Sequence, residues 1–155
     1  MKIFSTILLA IFLFTANSCE GQNKNSKFSH TKNEIMKEGN ALPETNQSDK
    51  IALLKKSMLN YLKIAQPSYT KADVEMCIKL LEDYCVKTAA SKSKNEGMEM
   101  VKITVEKLND LNEKCNSELI ETSEREQIAD IIISESVNKG YSKPDDDITE
   151  EWREW

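Results

Sequence analysis

The 155-residue chain holds one histidine, three prolines and four glycines. A single histidine excludes a His-Glu-x-x-His zinc site. Ser-His-Asp or Cys-His catalysis would have to run through His30, which stands in a polar stretch with no ligand-spaced Cys, Asp or Glu around it. The glycines are isolated, so no phosphate-cradling loop exists. With so little glycine and proline there is also little material for the turns of a hairpin-rich sheet. The four cysteines contain no CxxC pair, which removes a thioredoxin-like redox centre and a zinc knuckle. Asp145-Asp146-Asp147 is no EF-hand loop, because Glu150 stands where the sixth-position glycine is required. Lys and Arg number 21 against 26 Asp and Glu, a net charge of -5 that disfavours binding of nucleic acid or anionic lipid through overall charge. The length suits one domain with tails and excludes a barrel or a doubly wound dinucleotide fold. No catalytic residue, metal site or cofactor is expected, so the chain is not read as an enzyme.

The N-terminus is the most specific part of what is present. Lys2 gives a short positive segment and Ile3–Ala16 an apolar stretch of 14 residues, short of the ~20 that a membrane-spanning helix needs. Residues 1–18 therefore read as a secretory signal that is removed. Cys19 follows Ala16-Asn17-Ser18 directly. This resembles the signal of bacterial lipoproteins, and loose sites ending in Ser-Cys are similar to those of Bacteroidota; the position three before the cysteine, usually Leu, is here Ala16. The resemblance implies that Cys19 is the lipidated first residue. It would carry more than one acyl chain, enough for stable anchoring, on the periplasmic or surface face of a bacterial membrane. Free secretion after cleavage near Ser18 is the alternative.

Residues 19–47 are rich in Asn, Gln, Lys, Ser, Thr and Glu. They offer too little periodic apolar surface to offset the entropy of ordering, and are expected to be a flexible tether. From Ser48 the pattern changes. Ile51, Leu54, Met58, Tyr61, Leu62 and Ala65 recur in steps of three and four, predicting a helix from a Ser48 cap to Ala65 or Gln66, where Pro67 stops it. A second helix runs from the Thr70/Asp73 capping-box spacing to about Ala90, with Val74, Cys77, Leu81, Tyr84 and Thr88 as its stripe. A third runs from about Glu96 to Ser117 on Met98, Val101, Val105, Leu108, Asn112 and Cys115. A fourth covers Glu121–Asn138, with Ser123 and Glu126 spaced as a capping box, a cluster at Ile128, Ile131 and Ile132, and Gly140 as terminator. Ile148–Trp155 is predicted as a short last helix. The expected fold is thus all-α: an antiparallel four-helix bundle with a short C-terminal fifth helix, residues 48–155, monomeric.

Export permits a disulfide. Cys77 and Cys85 would lie about 12 Å apart along one helix, too far to bridge. Folding the second helix back on the third places Cys115 one turn from the level of Cys77, so Cys77–Cys115 is the expected pair, with three reduced thiols as the rival. Such a bridge would contribute about 4 kcal/mol by loop entropy.

The C-terminus PDDDITEEWREW carries six acids against Arg153, and holds both tryptophans. Ile148, Trp152 and Trp155 would share one face of a helix, either docking on the bundle or meeting a partner. Together with the Lys-Gly turn and the SEREQIADII helix, this end resembles small uncharacterised all-helical proteins of Bacteroidota, from which no activity carries over. The function expected is that of an exported, lipid-anchored domain acting by protein binding, in one form an immunity or inhibitor protein, with the membrane as its other partner and no nucleic acid. The alternative is a structural or envelope-maintenance lipoprotein without a discrete ligand.

Overall fold

The structure, a computed structural model, describes residues 46–155. The signal, Cys19, His30 and the tether up to residue 45 lie outside the described residues. Four helices follow one another: α1 (Gln47–Ala65), α2 (Lys71–Ala90), α3 (Lys94–Lys114) and α4 (Thr122–Asn138). They form an all-α, up-down-up-down bundle with no strand among the described residues.

Local chemistry sets each boundary. α1 starts before the expected Ser48, because the Asn46 side chain accepts from the N–H groups of Ser48 (2.7 Å) and Asp49 (3.2 Å) and is the N-cap. Thr70 and Asp73 form a reciprocal capping box at the start of α2. α3 begins at Lys94 on a Ser93 cap, earlier than the expected Glu96, and ends at Lys114 rather than Ser117. Asn116 and Ser117 have left-handed φ of 55° and 60°. Their N–H groups return to Glu113 and Asn112, a Schellman closure built without glycine. The expected Ser123/Glu126 box does not form. α4 starts at Thr122, so Ser123 already lies inside the first turn, and its hydroxyl turns to Glu124. At the other end Gly140 takes φ 72°, and the N–H groups of Gly140 and Tyr141 bond Val137 and Ser136. This is the left-handed position where glycine is favoured.

α2 is the hub. It packs on α1, α3 and α4, α1 packs on α2 and α4, and α3 and α4 share no extended contact. The core joins Leu54 and Met58 to Val74, Cys77 and Leu81, Val101, Val105 and Leu108, and Ile128, Ile131 and Ile132, all at 0 % exposure. Burying each isoleucine side chain of α4 stabilises by roughly 1.5–3 kcal/mol, which outweighs the small helix penalty of β-branching. Two buried polar side chains bond backbone of other segments. The Tyr84 hydroxyl donates to the Ile132 carbonyl at 2.9 Å, and the Asn112 side chain accepts from the Ile120 N–H at 2.9 Å, fixing the α3–α4 link.

The predicted fifth helix is absent. Residues 148–152 make a single turn and residues 153–155 have no regular structure. The reason is local competition for backbone groups. The Asp147 carboxylate takes the Thr149 N–H, while the Asn109 side chain on α3 takes the Trp152 carbonyl and the Glu154 N–H.

Candidate functional site

The C-terminal strap, residues 141–155, is the feature in which unusual composition meets unusual geometry. It leaves α4 by way of Tyr141, whose ring lies against Gly97 at the start of α3; a Cβ at Gly97 would run into that ring. The Tyr141 hydroxyl reaches the Ser91 carbonyl at 3.2 Å and the Ser91 hydroxyl at 3.1 Å. The Ser142 hydroxyl donates to that of Ser136 at 2.9 Å. The strap then passes beside α4, where Pro144 lines a groove with Val137 and Asn138, and reaches Asn109 on α3. There one amide grips the extended backbone at two points, donating to the Trp152 carbonyl at 2.7 Å and accepting from the Glu154 N–H at 3.3 Å.

Thr149 is the strap's internal hub and is fully buried. Its hydroxyl donates to Asp147 at 2.7 Å and accepts from the Arg153 guanidinium at 2.9 Å. Arg153 also pairs with Asp147 at 3.0 Å, and its guanidinium stands 5.5 Å from the Trp155 ring centroid. Burial works against the charge on Asp147, but the Thr149 hydroxyl and N–H and the Arg153 guanidinium outweigh it and hold the carboxyl below its ordinary range. Ile148, Trp152 and Trp155 are partly buried and pack on the core. The Trp155 indole N–H is buried without a hydrogen-bond partner.

The electrostatic result is one-sided. Of the strap's two cations, Arg153 is spent inside it on Asp147 and Lys143 stands exposed; neither Lys143 nor Asp145, Asp146, Glu150, Glu151 and Glu154, all exposed, forms an ion pair among the described residues. Five carboxylates against one unpaired lysine are therefore displayed on a backbone held to the bundle, rather than on a loose tail. Sequence reasoning singled out Ile148, Trp152 and Trp155 but missed Asn109, Thr149 and Arg153, which hold them. A mid-helix asparagine and a threonine give no spacing signal; only the isolated arginine among six acids hinted at an internal partner.

The cysteines offer no activated nucleophile. Burial pushes the Cys77 thiol up to about 12, with Glu124 and Cys115 adding to the rise, and burial pushes Cys85 to about 12. Thiols so raised are protonated at neutral pH. Cys77, Cys85 and Cys115 are unbonded in the structure, Cys85 only half-buried. Cys115 sits beside the first turns of α2: its carbonyl accepts from the Ser68 hydroxyl at 2.9 Å, and the neighbouring Lys114 meets Asp73 at 2.9 Å.

Open grooves lie between the helices. One of about 460 Å³ separates α1 from α4 and is crossed by Gln47, Lys50, Asp130 and Ser134; another of about 330 Å³ lies between α1 and α2 beside Cys85. The first is closed by its own polar network, in which Lys50 pairs with Asp130 at 2.9 Å and Gln47 donates to the Ile131 carbonyl at 3.0 Å. Among the described residues no three His, Cys, Asp or Glu converge as a metal site, and no helix is long and apolar enough to cross a membrane. Comparison of the chain with family models, with curated proteins and with solved structures finds no match.

Proposed function

We propose that the chain is exported, anchored through lipid on Cys19, and that its helical domain acts by binding a basic protein partner, as an immunity or inhibitor protein does. The anchor rests on the apolar signal followed by Ser18-Cys19. The binding role rests on one observation: the free carboxylates of Asp145, Asp146, Glu150, Glu151 and Glu154 ride on a strap that Asn109, Thr149 and the two indoles hold in place. Fixed charges lose less conformational entropy on binding than charges on a tail, and complementary charge sets on-rate and partner choice.

The test compares the native protein with an Asp145→Asn/Asp146→Asn/Glu150→Gln/Glu151→Gln variant, both recovered from the native envelope after cross-linking. These side chains are exposed and the only bond they make to the fold, from the Lys143 N–H to Asp146 at 2.9 Å, is one an amide can keep. A basic protein should be recovered with the native chain, about tenfold less of it with the variant, and less again as salt rises. Equal recovery by the two chains would refute the proposal.

A further inference from the structure

The net charge conceals an asymmetry. α1 carries Lys50, Lys55, Lys56 and Lys63 against Asp49 alone. Lys50 and Lys55 are spent on Asp130 and Glu75. Lys56 and Lys63 form no ion pair among the described residues. Leu53 is 57 % exposed and Ile64 74 %. Leu53, Lys56, Asn60, Lys63 and Ile64 succeed one another along one side of the helix, mostly in steps of three and four. They therefore share the face of α1 opposite Ile51, Leu54 and Met58, which enter the core. One exposed leucine needs no explanation. Two aliphatic side chains at either end of a helix face, with two uncompensated lysines between them, match a helix that lies against a bilayer surface.

α1 packs on α2 and α4 and has no extended contact with α3, to which Trp152 and Glu154 of the strap are clamped, while Pro144 near the strap's start lies at the α1–α4 groove beside Gln47 and Lys50. An anionic surface thus attracts the outer face of α1, where Lys56 and Lys63 stand. α1 is also the helix nearest in sequence to Cys19, its Asn46 cap standing 27 residues on. An anchor at Cys19 would hold that helix at the membrane surface, so a contact too weak to recruit a free domain orients a tethered one.

We infer that the outer face of α1 rests on anionic phospholipid headgroups, Leu53 and Ile64 entering the acyl boundary and Lys56 and Lys63 meeting phosphate. The inference builds on the lipid-anchor reading and adds the orientation: the bilayer takes the outer face of α1.

The experiment uses the mature protein in phosphatidylglycerol/phosphatidylethanolamine vesicles with brominated acyl chains, which quench a tryptophan that dips among them. The native indoles, on the strap, should be unaffected. In a Leu53→Trp variant the added emission should fall by about half, and a Lys56→Glu/Lys63→Glu pair placed on that variant should restore it with no change in thermal midpoint. An unquenched Leu53→Trp in protein whose Cys19 lipid is verified by mass overturns the inference and leaves the anchor standing. Equal quenching in neutral phosphatidylcholine overturns it as well. So does protection of the introduced indole from iodide only when envelope protein is added, since the face would then belong to a protein partner. An unmodified Cys19 overturns the anchor reading alone. Quenching of the Leu53→Trp chain coupled through Cys19 to a maleimide-headgroup lipid in the same vesicles then decides the α1 contact independently.

Discussion

Asp73 ties three parts of the bundle together, and its removal should be legible in both stability and pH dependence. Its carboxylate accepts from the Thr70 hydroxyl at 2.6 Å, the Thr70 N–H at 2.9 Å and the Lys114 ammonium at 2.9 Å, locking the start of α2 to the end of α3. Loss of a helix cap costs roughly 0.5–2 kcal/mol. The Lys114 side chain is 71 % exposed, so solvent screens its pair and the cap dominates. Asp73→Ala should therefore destabilise by about 1–2 kcal/mol, a fall of about 5–10 °C in Tm for a domain of this size. The pH dependence gives a second check. Hydrogen bonds from Thr70, then from Lys114, lower the Asp73 carboxyl from 3.8 to about 2, overcoming the opposing effect of burial. A folded value below the unfolded one means that the charge-dependent stabilisation is full above pH ~4 and lost as pH falls towards ~2. At ~1.4 kcal/mol per pH unit the ceiling is about 2 kcal/mol, in line with the cap estimate. Urea denaturation of both chains from pH 7 to pH 2 should show the gap between native and Asp73→Ala narrowing below pH 4 and closing near pH 2. A gap that stays constant across that range would refute the argument, since the contribution would then not come from the ionised carboxylate.

The remaining predictions concern the strap and the cysteines. Asn109→Ala removes both grips on the strap backbone and should cost about 1–3 kcal/mol, with Trp152 and Trp155 becoming freely quenchable by iodide; an unchanged midpoint with protected indoles would mean that apolar packing alone holds the strap. Gly97→Ala drives a methyl into the Tyr141 ring and should lower stability by about 1–3 kcal/mol, a loss that largely disappears when the same substitution is made in a Tyr141→Ala background. In protein matured in an oxidising compartment, peptide mapping without reductant should recover a Cys77–Cys115 peptide with Cys85 alkylatable after unfolding. A Cys85–Cys115 peptide would contradict the helix register, and three alkylatable thiols would show that no bridge forms.

The helices were legible because their signals are redundant. Apolar steps of three and four, the Thr70/Asp73 box, Pro67 and Gly140 all mark the same four elements, and burial of Leu54, Leu81, Val105 and Ile131 follows from them. The misplaced ends were those decided by a single local choice, such as the Asn46 cap over Ser48. Ile148, Trp152 and Trp155 were read as a helix from spacing alone, but their backbone is set by Asn109 on α3, more than forty residues away in sequence. No local pattern records a long-range side-chain clamp. The same holds for the charge asymmetry. The sequence shows six acids in the last twelve residues, but only the structure shows that Asn109 on α3 holds Trp152 and Glu154 and that Lys56 and Lys63 of α1 form no ion pair among the described residues.

Whether the mature chain begins at a lipidated Cys19 is decided by the intact mass of the protein extracted by detergent from its native membrane. The expected species starts at Cys19, is heavier than the unmodified polypeptide by a diacylglyceryl group with or without a third acyl chain, and partitions with the detergent. A first residue other than Cys19, or a Cys19 whose mass is that of the bare amino acid, would contradict it.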